Sequence, residues 1–117
     1  MLFLEYPPCT TCKKAKKWLQ DHEIEFAARP IKEQNPSAEE LSLWQEKSGL
    51  ELKKFFNTSG LVYKELGLKD KLPAMSREEQ LALLASNGML VKRPILVAGD
   101  TVLVGFKEAQ WEKLLQK

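Results

Sequence analysis

The stretch Leu2-Phe3-Leu4-Glu5-Tyr6-Pro7-Pro8-Cys9-Thr10-Thr11-Cys12-Lys13-Lys14-Ala15 decides how this chain folds. Leu2 to Tyr6 is apolar but for one carboxylate, the pattern of a short buried strand. Pro7-Pro8 closes it, because proline lacks the N–H that a ladder requires. A helix then starts near Thr10 or Thr11, either of which can cap free backbone N–H groups. Cys12, Ala15, Leu19 and His22 follow one helical face with Trp18 beside it, and His22 sits partly exposed near the helix C-terminus. Glu25 to Ile31 reads as a second strand. Strand, helix and strand within about 30 residues predict a right-handed βαβ unit with parallel strands.

Two more strands are legible near the other end. Ile95 to Ala98 is a continuous β-prone run, Gly99-Asp100 forms a tight turn, and Thr101 to Val104 returns as the antiparallel partner. Lys107 to Leu115 closes the chain as a helix with Trp111, Leu114 and Leu115 facing inward. The middle of the chain, about residues 37–90, reads as wholly helical. Ser37 with Glu40 has capping-box spacing and Gly49 stops the helix that follows. Ser59 to Leu66 forms a shorter helix ended by Gly67. Ser76 with Glu79 repeats the box, and Asn87-Gly88 ends the third helix. Trp18, Trp44 and Trp111 all fall on apolar faces and are assigned to the core. No repeat, linker or low-complexity tract divides the chain, so residues 1–117 are expected to form one domain: a βαβ half, a helical insert and a ββα half.

Composition narrows the function classes. The 117 residues carry 18 basic and 16 acidic side chains, a surplus of +2 that gives no reason to expect direct binding to nucleic acid or to an anionic membrane. No segment approaches the roughly 18 to 20 apolar residues of a membrane span. Met1-Leu2-Phe3-Leu4 lacks a basic flank and is cut off by Glu5, unlike a secretory signal. The cytoplasm is the expected compartment and a monomer the expected state. In the cytoplasm, two cysteines three apart point to catalysis, redox sensing or metal binding rather than to a static staple.

Cys9 lies just ahead of a helix N-terminus, where unpaired N–H groups and the macrodipole favour an anion. Lys13, Lys14, Lys16 and Lys17 add positive potential, although the same four residues also read as a solvated helix face. Both effects lower the pKa of Cys9 below the ~8.5 of a free thiol. Cys12, one turn further on, is placed to attack a mixed disulfide formed at Cys9. Inert packing is the bland alternative. Zinc is disfavoured, because only Cys9, Cys12 and the distant His22 are available as soft or imidazole ligands, so no metal or bound cofactor is expected. Arg93, followed by Pro94 at the start of the third strand, completes the candidate site. Thr10, Thr11 and Lys13 are candidate substrate- or anion-binding residues, and Pro94 is either the structural residue of the site or a proline that merely opens a strand. Only Arg29, Arg77 and Arg93 are arginines, so a site needing several rigid guanidinium forks must draw on these three.

Tyr6-Pro7-Pro8-Cys9-Thr10-Thr11-Cys12-Lys13-Lys14-Ala15, Tyr63-Lys64-Glu65-Leu66-Gly67-Leu68 and Arg93-Pro94-Ile95-Leu96-Val97 together resemble the ArsC/Spx family. That family joins glutaredoxin-coupled arsenate reductases, redox-sensing Spx regulators and their relatives. The resemblance covers nearly the whole chain. It implies a thioredoxin-like α/β fold (βαβ–ββα) with an all-helical insert between its halves, and a proline, usually cis, lying across from the CxxC. It also implies a nucleophilic role for Cys9 and an anion-binding role for Arg93. The positions where the arsenate reductases carry two further arginines fall at or near Asn57 and Gly105. With neither an arginine, the resemblance points away from arsenate, which benefits from several charge-assisted donors. Cys12 matches the CxxC switch of the Spx branch, and Arg29 on the second strand also resembles that branch. Spx regulators bind the C-terminal domain of the RNA polymerase α subunit and extend further at the C-terminus than this chain. Gly49 falls near their polymerase contact, but Lys47-Ser48 and Leu50-Glu51 do not reproduce that surface.

Three functional expectations result, in order. The first is a thiol–disulfide oxidoreductase, arsenate-reductase-like or glutaredoxin-like, that cycles Cys9 and Cys12 against a small thiol, a disulfide or a redox protein. Glutathione or glutaredoxin is its expected electron donor. The second is a redox-sensing regulator binding the polymerase α C-terminal domain. The third is a true glutaredoxin-coupled arsenate reductase, forming a thiol–arsenate adduct on Cys9.

Overall fold

The computed structural model describes the backbone of residues 1–115 and the side chains through Leu114, so the inward packing expected of Leu115 lies outside the described residues. Its centre is a four-stranded mixed sheet in the order β2-β1-β3-β4, built from β1 (Leu2–Glu5), β2 (Ala27–Pro30), β3 (Ile95–Ala98) and β4 (Thr101–Val104). β1 and β2 run parallel, with Leu2 opposite Ala27 and Glu5 opposite Pro30. α1 (Thr10–Asp21) makes the crossover between them. β3 is antiparallel to both neighbours, placing Leu4 opposite Ile95 and Ile95 opposite Val104. This is the thioredoxin-like arrangement. Gly99, at φ +59°, supplies the left-handed residue of the β3–β4 turn.

The period of two along each strand sorts the core into two layers. Phe3 and Leu96 face one side, packing with Ala15, Trp18 and Leu19 of α1 and with Trp111 of α6 (Glu108–Leu115). Leu4, Ile95 and Val102 face the other side, covered by the insert through Leu41, Trp44, Phe55, Tyr63 and Leu84. All three tryptophans are buried as the sequence indicates.

The insert comprises α2 (Ala38–Ser48), α3 (Leu61–Glu65), α4 (Leu68–Lys71) and α5 (Arg77–Ser86), with 3-10 turns at Leu52–Phe55, Leu72–Ala74 and Gly88–Leu90. Both capping boxes form: the Glu40 and Glu79 N–H groups each donate to the serine hydroxyl three residues back, at 3.1 Å. Gly49 ends α2 at φ +70°. Three sequence expectations need correction. The helix expected from Ser59 begins only at Leu61, because the Gly60 N–H donates to the Asn57 carbonyl (3.1 Å) and holds a turn there. The insert is also not wholly helical, since Phe56 and Val91 form a β-bridge flanked by bonds from Asn57 N–H to the Leu90 carbonyl and from Lys92 N–H to the Phe55 carbonyl, both 2.7 Å. The second strand is shorter than Glu25 to Ile31, with its ladder confined to Ala27–Pro30.

Arg29 fastens β2 to α2. Its guanidinium reaches Glu40 through Nη1 and Nη2 at 2.7 and 2.9 Å and also donates to the carbonyls of Gln34 and Asn35. These contacts, Arg29 foremost, hold the Glu40 carboxyl at about 2, below the ordinary 4.5. A depressed carboxylate contributes its stability above the unfolded value and loses it as pH falls from about 4.5 toward 2. Glu40→Gln keeps the capping box but loses the ion pair. Discounted for the exposure of the carboxylate, it is expected to lower stability at pH 7 by about 1 to 2 kcal/mol. Urea unfolding should show that difference from the parent narrowing below pH 4.5.

Candidate active site

Tyr6 follows the first strand directly, and the Cys9 N–H donates to its carbonyl at 2.8 Å, turning the chain through Pro7-Pro8. That turn makes Cys9 itself the N-cap of α1, with extended backbone at φ −73°, ψ 125°. Thr10 and Thr11, the expected caps, instead occupy the exposed first turn. The proline turn ends one residue too early for Thr10, and two for Thr11, to take the cap position.

The consequence for the two thiols is opposite. Cys9 is partly exposed, whereas Cys12 is fully buried. Burial pushes the Cys9 thiol up, but the N–H of Cys12, the Cys12 thiol, the N–H of Thr11 and the charge of Arg93 together outweigh it and hold Cys9 below its ordinary value. For Cys12, burial dominates and pushes the thiol up to about 12. The Tyr6 N–H, 3.4 Å from Cys12 Sγ, opposes that rise, and the neighbouring Cys9 adds to it. The cationic help comes from Arg93 and not from the lysines of α1. Lys16 is paired with the buried Glu5 at 3.3 Å and Lys17 with Asp21 at 3.1 Å, while Lys13 and Lys14 are exposed on the helix surface.

Arg93 reaches the site from the opposite side. The Arg93–Pro94 bond is cis, and the Pro94 carbonyl accepts the Gly105 N–H at 2.8 Å, which extends the β3–β4 pairing by one step. The guanidinium lies over the Tyr6 ring, 4.8 Å from its centroid, and Nη1 donates to the Met89 carbonyl at 3.4 Å. Its Nε is buried and has no partner among the described residues. The structure therefore brings Cys9, Cys12 and Arg93 together, with Thr11 contributing its backbone, Pro94 following Arg93 through the cis bond, and Lys13 lying outside on the helix surface. Tyr6 is the member that sequence reasoning missed: its N–H meets one thiol and its ring carries the arginine. Its position directly before Pro-Pro-Cys was the available signal.

Asn57 and Gly105, where the resemblance placed further arginines, are both committed to the fold. Asn57 donates its N–H to Leu90, and Gly105 is buried at φ +77° with its carbonyl accepting Trp111 Nε1 at 3.2 Å. A side chain is strained at that φ. Among the described residues no group of three or more histidine, cysteine, aspartate or glutamate side chains is placed to hold a metal ion, and no helix is long and apolar enough to cross a membrane.

A thioredoxin-like sheet with a cysteine pair at the mouth of its first helix and a cis-proline at the start of its third strand defines the class of the molecule. Residues 4–114 match the ArsC family, to which the chain belongs. It is 59% identical to the uncharacterized protein YusI of Bacillus subtilis strain 168, over 97% of this chain and 96% of that one. It is 34% identical to the global transcriptional regulator Spx of Enterococcus faecalis strain V583, over 95% of this chain and 83% of the regulator. A crystal structure of an ArsC-family-related protein from Bacteroides fragilis superimposes with a TM-score of 0.94 and 62% identity, over 97% of this chain and 95% of that one.

Proposed function

We propose that the chain is a thiol–disulfide oxidoreductase, with Cys9 as nucleophile and Cys12 as resolving thiol. The observation that carries this reading is the asymmetry of the pair: an accessible thiol pushed down beside a buried thiol pushed up to about 12. The Cys9 thiolate attacks one sulfur of a substrate disulfide, forming a Cys9 mixed disulfide and releasing the other sulfur as a thiolate. Cys12 then gives up its proton and attacks Cys9 Sγ. The Cys9–Cys12 disulfide forms, the second substrate thiol leaves, and two electrons have passed from protein to substrate. Glutathione or glutaredoxin returns them. Arg93, with its free Nε and its charge beside Cys9, would hold an anionic substrate group, and the cytoplasm, where thiols stay reduced, is the fitting compartment.

The similarity to Spx supports a second reading, a redox-responsive regulator that binds the polymerase α C-terminal domain. Arsenate reduction has weaker support, because Asn57 and Gly105 supply no guanidinium. Equilibration in glutathione redox buffers, followed by alkylation and intact mass, is the test of the proposed activity. A reversible internal disulfide with a midpoint between about −280 and −180 mV, together with turnover of a glutathione mixed disulfide, is the expected outcome. Reversible oxidation without turnover, but with oxidant-dependent capture of the α C-terminal domain, would establish the regulator instead.

A further inference from the structure

A groove of about 640 Å³ runs along β4, away from the cysteines, and no step proposed above uses it. Val102, Leu103 and Val104 all line it. Side chains alternate across a strand, so three consecutive residues can share one groove only if it follows the backbone edge. β4 is the last strand of the sheet. Its pairing fixes what that edge offers. Ala98 and Thr101 flank the two-residue turn, and the Gly105 N–H bonds the Pro94 carbonyl. The hydrogen-bonded pairs are therefore Ala98 with Thr101, Leu96 with Leu103, and Pro94 with Gly105. By the same alternation, the N–H and C=O groups of Val102 and Val104 point outward into the groove.

The walls are predominantly basic. Lys53 and Lys54 stand on the insert side, Lys107 on the approach to α6, and Lys92 at the end nearest Arg93, against the single acid Glu51. None of these four lysines is in an ion pair among the described residues, whereas Lys16, Lys17 and Lys47 each are. Leu50, an exposed leucine, adds apolar surface to the groove.

We infer that the outer edge of β4 is a docking strand for an extended acidic segment of a protein partner, which adds to the sheet beside Val102–Val104 and meets Lys53, Lys54, Lys92 and Lys107. The outward amides favour a peptide over other polyanions, because only another peptide backbone matches their alternating donors and acceptors. The excess of four lysines over one acid sets the charge of that peptide.

An alternating glutamate–valine octapeptide, fluorescently labelled, is the probe, read by polarisation and by amide exchange of the full chain. Saturable binding that slows exchange at Val102 and Val104 is expected. Methylating alternate amide nitrogens of the peptide should weaken binding about tenfold through loss of about two hydrogen bonds. The double variant Lys53→Glu/Lys107→Glu alters two exposed residues, so its urea midpoint should stay unchanged while affinity falls about tenfold. Absence of binding overturns the proposal, and so does binding that leaves the Val102 and Val104 amides unprotected. An oligothymidylate of equal charge binding as tightly as the peptide, with methylation of no effect, would make the groove a plain polyanion patch. Concentration-dependent protection of the same amides without peptide would make it a contact between two copies of this chain.

Discussion

Cys9→Ser will remove nearly all fast thiol reactivity, and Cys12→Ser will keep it while trapping the first mixed disulfide. The reasoning starts from thiolate populations. A thiol held at about 12 is ionised to only on the order of one part in 10⁵ at pH 7, and Cys12 is also buried. Cys9 is accessible and ionises below the ordinary thiol value. Iodoacetamide labelling at pH 7 should therefore fall by about a hundredfold or more in Cys9→Ser, since the thiolate is the reacting species. In the parent, the labelling rate should rise with pH through a midpoint below that of an ordinary free cysteine, reporting Cys9. In Cys12→Ser the midpoint stays low, because the backbone N–H groups and Arg93 remain and the serine hydroxyl can donate in place of the thiol. Oxidised glutathione, however, leaves a stable adduct on Cys9, because no second sulfur can displace it. Intact mass distinguishes the outcomes: a glutathione adduct in Cys12→Ser and an internal disulfide in the parent. If Cys9→Ser labels as fast as the parent, the assignment of roles is reversed.

Trp111→Ala is expected to cost about 3 to 5 kcal/mol, the range for emptying a large buried aromatic site. Trp111 is fully buried and lies edge-on to Phe3, Trp18 and Phe106, with centroids 6.4, 5.7 and 4.9 Å away. It joins β1, α1 and α6, so no single element can move to fill the hole. Its Nε1 also donates to the Gly105 carbonyl, whose N–H bonds Pro94. The cavity therefore opens behind the strand end that carries the candidate site. For a chain of this size the loss corresponds to a fall in Tm of about 10 to 20 °C. Trp111→Phe, which retains a ring but not the hydrogen bond, should lose a smaller part. A cost below about 1 kcal/mol for the alanine variant would mean that α6 is not integral to this core.

What the sequence disclosed, and what it withheld, follows from the range of each interaction. The strand before Pro7-Pro8, the Gly99-Asp100 turn and both capping boxes are written within a few residues, and the structure contains each of them. The cap of α1 depended on where the Pro7-Pro8 turn ended, and a shift of one residue moved it from threonine to Cys9. The source of positive charge at the cysteines was harder still. Four lysines adjoin them in sequence, yet Arg93, more than 80 positions away, is the cation that acts on both thiols. The Phe56–Val91 bridge likewise joins segments distant in sequence, and the Arg29–Glu40 clamp, although only 11 residues apart, depends on how β2 and α2 pack, so no local pattern announces either.

That bridge bears on how this architecture can be altered. Phe55, Phe56 and Asn57, in the middle of the insert, are bonded through their backbones to Leu90, Val91 and Lys92, the residues that lead into Arg93. Gly88 at the insert's exit is pressed against the Ile31 carbonyl, with no room for a methyl group. The insert is thus sewn to the frame along its seam. It is not a cassette that can be excised, or exchanged for another helical segment, without loosening the arginine that faces the thiols. Tolerated variation in length belongs instead at its outer turns, such as the one at Gly67, where a side chain would meet only the end of Lys71.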